Sequence, residues 1–324
     1  MTERDILRAA LQIPRAPAPR LPCMEWAHWW DKTKLRWENE GLPQLGWEAS
    51  LRHFGLDFLE NICVAPHGER IANEEDYMRV RPLLYLQSRI DNAVQHARNF
   101  AQRHARGEFS LRLVFDGFFW FPRRLLGIEQ HLFAFYDQPE LMHQINRDLL
   151  AFNLQVLEQV LPILQPDMLC LSEDMSYNHG PMLSKDCFDE FIRPYYLKLA
   201  KALDDVPFFV DTDGHVDQLI PWLLDSGVQG ILPLERQAGV DVAALREKYP
   251  ELLMLGGFDK MVMHRGEATM RTEFERLLPV WQGGGFVLSC DHQTPPGVSL
   301  ADYQLYTWLL REYANKAPVH ANLT

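Results

Sequence analysis

No apolar run of 18 residues occurs anywhere in the 324 positions, so nothing in the chain reads as a membrane-spanning helix. Basic residues are in deficit. Lys and Arg number 32 against 44 Asp and Glu, and the formal net charge of −12 disfavours a phosphate polymer or an anionic membrane as partner. Neither nucleic acid nor membrane is therefore expected, although Arg123 and Arg124 leave room for a locally basic pocket. Cysteine is sparse: the five, at positions 23, 63, 170, 187 and 290, are odd in number and lack CxxC spacing, which argues against a disulfide framework. No internal repeat or low-complexity linker divides the chain. The opening residues from Met1 to Arg8 mix acids and bases and lack the apolar centre of a signal peptide, so the expected location is the cytoplasm.

What the chain does have is enough apolar material, 47%, for a large core, at a length that suits a barrel better than another single compact unit. Its most telling feature is a series of apolar segments that each stop on an ionisable residue. The run from Val206 to Val210 ends at Asp211, Asp213 and His215 around Gly214, and a helical pattern follows from Val216 to Leu224. The segment 229–234 ends at Glu235, 252–257 at Asp259, and 285–289 at Cys290, Asp291 and His292. Upstream, 111–115 ends at Asp116 and runs on into Phe118, Phe119, Trp120 and Phe121, and 167–171 ends at Ser172, Glu173 and Asp174. Strands that release polar groups into a turn ahead of a helix are the βα loops in which α/β barrels carry their chemistry.

Six such strands alternate with helices from 111 onward. The expected fold is therefore a single (β/α)8 TIM barrel with an N-terminal helical extension, one domain over residues 1–324. Residues 1–105 would hold the extension and the first barrel elements, and 106–324 the main ones. Thr2 with Asp5 predicts a capping box on a helix from 2 to 11. A long helical stretch is expected from 74 to 106 with an interruption at Pro82, another from 139 to 164 and another from 185 to 204. Residues 24–47 hold Trp26, Trp29, Trp30, Trp37 and Trp47, more indole than a helical face of that length needs; half or more belong to the core, and one or two could line an apolar ligand cavity.

Each of these residues also has a purely structural role open to it. Asp211 or Asp213 could cap a helix, and Glu235 could pair with Arg236. Cys290 could be a small buried hydrophobe, and His292 could pair with Asp291. Glu173 and Asp174 are adjacent and point to opposite sides, so at most one faces a cavity while the other ties down the loop. His179 sits in a turn. Phe118, Phe119 and Trp120 are equally readable as packed loop or as substrate wall.

The stretch Ser172–Tyr195 resembles the segment that uroporphyrinogen decarboxylase-like proteins carry after a barrel strand. Asp213 and Gly214, Pro233–Glu235 with Ala238 and Gly239, Gly256–Lys260, Asp291–Pro296, Leu125–Glu129 with Asp137–Glu140, and Arg36–Pro43 are similar to the same superfamily, over roughly residues 2–312. That superfamily contains porphyrinogen decarboxylases and zinc-dependent methyltransferases that work with corrinoid proteins. The decarboxylases carry an Arg-Gln-Ala-Gly-Arg-like segment near the N-terminus, and nothing like it stands in residues 10–50. A substrate with eight carboxylates also wants arginines where this chain's strand ends are mostly acidic.

The methyltransferase branch holds zinc with a His-x-Cys pair, a later acid and a final Cys. The matching positions here are Asp211, Asp213, Glu235 and Cys290, so only the acid and the final Cys are kept. An Asp-rich site would be harder, with His215 or His292 supplying nitrogen. The resemblance implies a methyltransferase, the demethylating component of a corrinoid-dependent system. It would move a methyl group between a small donor, a methoxyaromatic being one candidate, and cobalamin carried by a separate corrinoid protein. Asp211, Glu235 and Cys290 are the expected metal ligands, with zinc the metal. Glu173, Asp213 and His215 are the expected catalytic groups, and Phe118, Phe119, Trp120, His179 and His292 the substrate contacts. A homodimer is expected from the superfamily. Two alternatives remain: a cofactor-free decarboxylase or lyase of a small acid with Glu173 or Asp213 as proton donor, and an inactive ligand-binding barrel.

Overall fold

The computed structural model describes residues 1–316. It is an α/β fold whose strands, in chain order, are β1 (Leu59–Val64), β2 (Ser110–Asp116), β3 (Met168–Ser172), β4 (Ser176–Tyr177), β5 (Gly180–Pro181), β6 (Phe208–Asp211), β7 (Gly230–Leu232), β8 (Leu253–Phe258) and β9 (Phe286–Cys290). Seven of them are hydrogen-bonded in the order β1-β2-β3-β6-β7-β8-β9, and β4 and β5 form a separate antiparallel pair. The described residues fall into two compact units, one of Met1–Glu60, Arg106–Ser110 and Ile231 onward, the other of Asn61–Ala105 and Leu111–Gly230.

In the second unit, β2, β3 and β6 are parallel and in register, with Asp116 opposite Ser172 and Ser172 opposite Asp211. The polar residues that stop these apolar runs therefore stand side by side at one end of the sheet. Helices separate the strands, as parallel pairing requires. The stretch 74–105 is two helices, Glu74–Leu84 and Gln87–Ala105, and Pro82 lies inside the last turn of the first. The break comes at Tyr85 rather than at the proline, because a proline removes only its own donor to the carbonyl four residues earlier. Likewise 185–204 divides into Lys185–Phe191 and Arg193–Leu203, the second beginning with Pro194 in its first turn, where the missing N–H is harmless.

In the first unit, β8 and β9 are parallel, with Phe258 opposite Cys290. Thr2 and Asp5 form the capping box of the helix Glu3–Ala10, each accepting the other's backbone N–H. That helix packs against β9, and Asp31–Asn39 and Trp47–His53 follow it in the same unit. These helices belong to a compact unit with β8 and β9.

The expected eighth strand is absent among the described residues. In its place the prolines 14, 17, 19 and 22 hold residues 11–30 out of regular structure, and the extended stretch 21–26 bonds irregularly to its neighbours. Asp57 N–H donates to the Cys23 carbonyl at 2.6 Å. Trp26 N–H donates to Ser289 Oγ at 3.3 Å, and its indole to the Cys290 carbonyl at 2.9 Å. A chain with prolines every few residues cannot complete a backbone ladder, so side chains take over part of the pairing.

Of the five tryptophans in residues 24–47, Trp26, Trp29 and Trp37 are buried. Trp29 and Trp37 pack with Phe54 and Tyr303 at centroid separations between 4.4 and 5.8 Å. Their indole N–H groups are satisfied by Tyr303 Oη and the Val298 carbonyl, both at 3.0 Å. Trp47 closes on Trp29 and stacks with His28. No helix of the described residues is long and apolar enough to cross a membrane.

Candidate functional site

The loop after β7 carries Glu235 into place through a tight backbone fit. Leu234 adopts φ of 69°, and the Pro233 carbonyl accepts the Gly257 N–H at 3.0 Å. A Cβ on Gly256 would lie 2.1 Å from that same carbonyl oxygen, so β8 can pass beneath the loop only as glycine. The loop after β9 presents His292, and the two half-buried side chains offer a carboxylate oxygen and an imidazole nitrogen within 4.8 Å of each other. Trp26 and Trp30 stand edge-on to the His292 ring at 6.3 and 6.2 Å. The Lys260 ammonium lies 3.5 Å from Glu235.

Cys290 is not brought into this donor set. The thiol is buried, and burial pushes it well above its ordinary range, with Glu25 and Asp291 adding to the effect. The Cys290 Sγ lies 4.0 Å from Thr294 Oγ1 and is not among the donor atoms that cluster with Glu235 and His292. Beneath it lies an acid that the sequence did not advertise. Glu25 is fully buried and accepts hydrogen bonds from Ser289 Oγ at 2.8 Å and Tyr303 Oη at 2.9 Å. Burial raises its carboxyl to about 7 against those bonds.

A carboxyl raised from 4.5 to about 7 binds its proton more tightly in the folded chain. Its stabilising contribution is therefore complete below its unfolded value and is lost as pH climbs through its folded one. Glu25→Gln keeps the shape and sheds the charge, and the Ser289 hydroxyl can turn to accept from the new amide. The variant should be more stable than the parent at about pH 8, on the order of 2 kcal/mol. Its melting temperature should also fall less between pH 5 and 8. A variant with the parent's slope would mean that another group carries the titration.

In the second unit, the loop after β6 is fixed by the β4–β5 hairpin. Thr212 Oγ1 accepts the N–H groups of Met175 and Ser176 at 3.0 and 3.2 Å, and the Tyr177 carbonyl accepts His215 N–H at 2.8 Å. Ser176 Oγ donates to the His215 carbonyl at 2.7 Å. Gly214 has φ of 85°, and a Cβ there would meet the Tyr177 backbone at 2.6 Å. Asp211, Asp213 and His215 are each half-buried in this pinned loop, and Asp211 still belongs to β6, pairing with Ser172. His179 is exposed on the hairpin, edge-on to Tyr177.

Glu173 is the acid that ties down its loop. Its two oxygens accept the N–H groups of Phe118, Phe119 and Trp120 at 2.8, 2.8 and 3.0 Å, and Tyr196 Oη donates to it at 2.6 Å. Burial pushes its carboxyl up to about 7 against these four donors. Phe118 and Phe119 are fully buried, Phe118 between Tyr195 and Tyr196 and Phe119 against His131 and Phe135. They pack the core, and only Trp120 of the three is partly exposed, beneath the Arg123 guanidinium.

Lys260, Asp291 and Glu25 were not singled out as site residues from sequence. Lys260 and Asp291 stand in the Gly256–Lys260 and Asp291–Pro296 motifs, a signal that was available. Glu25 follows a proline-rich stretch with no pattern around it.

A family model described as uroporphyrinogen decarboxylase (URO-D) matches residues 118–313. No curated protein matches the chain. Among solved structures, a methyltransferase from Methanosarcina mazei is similar over 97% of this chain and 99% of its own, with a TM-score of 0.70 at 13% identity. A B12-independent methionine synthase from Shewanella sp. W3-18-1 aligns over 69% of this chain and 65% of its own, at 11% identity and a TM-score of 0.45. A putative vitamin-B12 independent methionine synthase from Listeria monocytogenes aligns over 94% and 98%, at 10% identity and 0.47.

Proposed function

Because the chain belongs to the uroporphyrinogen decarboxylase family, we propose that it is a methyltransferase built on that family's fold. It would take a methyl group from a small donor and deliver it to cobalamin on a separate corrinoid protein in the cytoplasm. The observation that carries the reading is the donor set. Among the described residues, Glu235 and His292 are brought together on the loops after β7 and β9 with a carboxylate oxygen and an imidazole nitrogen that could hold one ion, and we assign them as ligands of that ion. A carboxylate and an imidazole suit zinc and leave coordination positions open for the donor. Bound there, the ion would supply Lewis-acid polarisation of the donor's heteroatom, making it a better leaving group.

The protein's own contribution is placement. Trp26 and Trp30 flank His292 and offer an apolar wall to a methyl or methoxyaryl group. Lys260 sets a positive charge 3.5 Å from Glu235, which offsets part of the negative charge gathered at these loops. The fold likeness to a methyltransferase, and the absence of an Arg-Gln-Ala-Gly-Arg-like segment, support this reading over porphyrinogen decarboxylation. A lyase with Glu173 as proton donor has no support in the geometry, since both oxygens of Glu173 are spent on internal donors.

The test is methyl transfer to free cob(I)alamin from 2-methoxyphenol, dimethylsulfide or methylamine, each with zinc-loaded and chelator-treated protein. Zinc-dependent formation of methylcobalamin from at least one donor is expected. Failure of all three with zinc bound would count against the assignment.

A further inference from the structure

Asp291 precedes His292, and its carboxylate bonds to the loops that carry Arg236 and Lys260. The side chain is fully excluded from solvent, where an ionised carboxylate is costly unless donors surround it. Oδ2 accepts the backbone N–H of Arg236 and Oδ1 that of Lys260, both at 3.0 Å, with the Lys260 ammonium 3.4 Å from Oδ1. Its own N–H donates to the Phe258 carbonyl at 2.8 Å. Arg236 is the residue directly after Glu235. One buried carboxylate thus ties the loop of Glu235 and the loop of Lys260 to the residue next to His292.

Lys260 is shared. Its ammonium lies 3.5 Å from Glu235 and 3.4 Å from Asp291, and it also donates to Gln237 Oε1. Without the charge on Asp291, Glu235 is left as the ammonium's remaining carboxylate partner there, and a bound cation would have to compete with it. We propose that Asp291 is a positioning residue for the Glu235 and His292 pair: it fixes the two loops at the separation one metal ion needs and keeps Lys260 from closing on Glu235. This rests on the assignment of Glu235 and His292 as metal ligands.

The experiment measures zinc affinity by competition with a chelating indicator, beside the melting temperature of the metal-free protein. Asp291→Asn should bind zinc about 10- to 100-fold more weakly, the range seen when groups behind a metal's ligands are lost. Adding Lys260→Met should recover part of that loss. Arg236→Pro is the second variant, because position 236 opens a short 3₁₀ turn and Glu235 has φ of −63° and ψ of 117°, a backbone that a following proline accepts. It deletes one of the donors to Asp291, and should weaken zinc several-fold, while Arg236→Ala keeps the N–H and should stay within about twofold of the parent.

A lowered melting temperature with zinc affinity within about twofold in both Asp291→Asn and Arg236→Pro would overturn the proposal and leave the ligand assignment standing. A parent protein that binds no zinc would overturn both. Should Asp291→Asn not fold, Arg236→Pro carries the test alone.

Discussion

Glu173→Ala is expected to lose about 3–6 kcal/mol of stability, and to lose activity only in proportion to the folded protein lost. Four donors converge on that carboxylate, three of them the consecutive N–H groups of residues 118–120. Alanine would leave them buried without an acceptor, at about 1–3 kcal/mol each before relaxation, and partial solvation of the loop brings the sum down. Gly117 belongs to the same arrangement, since a Cβ there would sit 2.0 Å from the Glu173 carboxyl carbon. Gly117→Ala should therefore be destabilising as well. Thermal unfolding followed by circular dichroism checks both. An Glu173→Ala protein that melts with the parent but has lost turnover would instead restore this acid as a catalytic proton donor.

The second large effect is on metal binding. Glu235→Ala and His292→Ala should each lower zinc affinity by at least about 100-fold, because each removes one of the two donors assigned to the ion. Cys290→Ala should leave zinc bound with little change, since its buried thiol is not among the clustered donor atoms. The contrast is informative because the family resemblance placed a final cysteine among the ligands. Dialysis to equilibrium followed by elemental analysis reads all three. Loss of zinc in Cys290→Ala, with Glu235→Ala unaffected, would reverse the assignment.

Much of this architecture is written locally in the chain. Apolar runs of five or six residues that stop on ionisable side chains marked β2, β3, β6, β8 and β9 to within a residue or two, because strand identity follows from hydrophobic pattern and turn chemistry. The capping box at Thr2 and Asp5 is equally local. What the pattern cannot carry is direction over distances beyond the run itself. Of the adjacent acids, Glu173 and not Asp174 ties down the loop, and that is decided by where residues 118–120, more than 50 positions earlier, place their N–H groups. Asp291 reads as a partner for its neighbour His292, yet it turns to the loops of Arg236 and Lys260. Cys290 ends its strand in the position that the resemblance gives to a ligand, but its side chain is on the buried side, beside Glu25. The absence of an eighth strand among the described residues has a clearer cause, as prolines at 14, 17, 19 and 22 deny the backbone its donors.

The most direct test of the account is the zinc X-ray absorption spectrum of the loaded protein. An oxygen and nitrogen shell near 2.0–2.1 Å with no sulfur is the predicted result, unchanged in Cys290→Ala. A sulfur shell near 2.3 Å that vanishes in Cys290→Ala would contradict it, and would put the metal on the thiol rather than on the carboxylate and imidazole of Glu235 and His292.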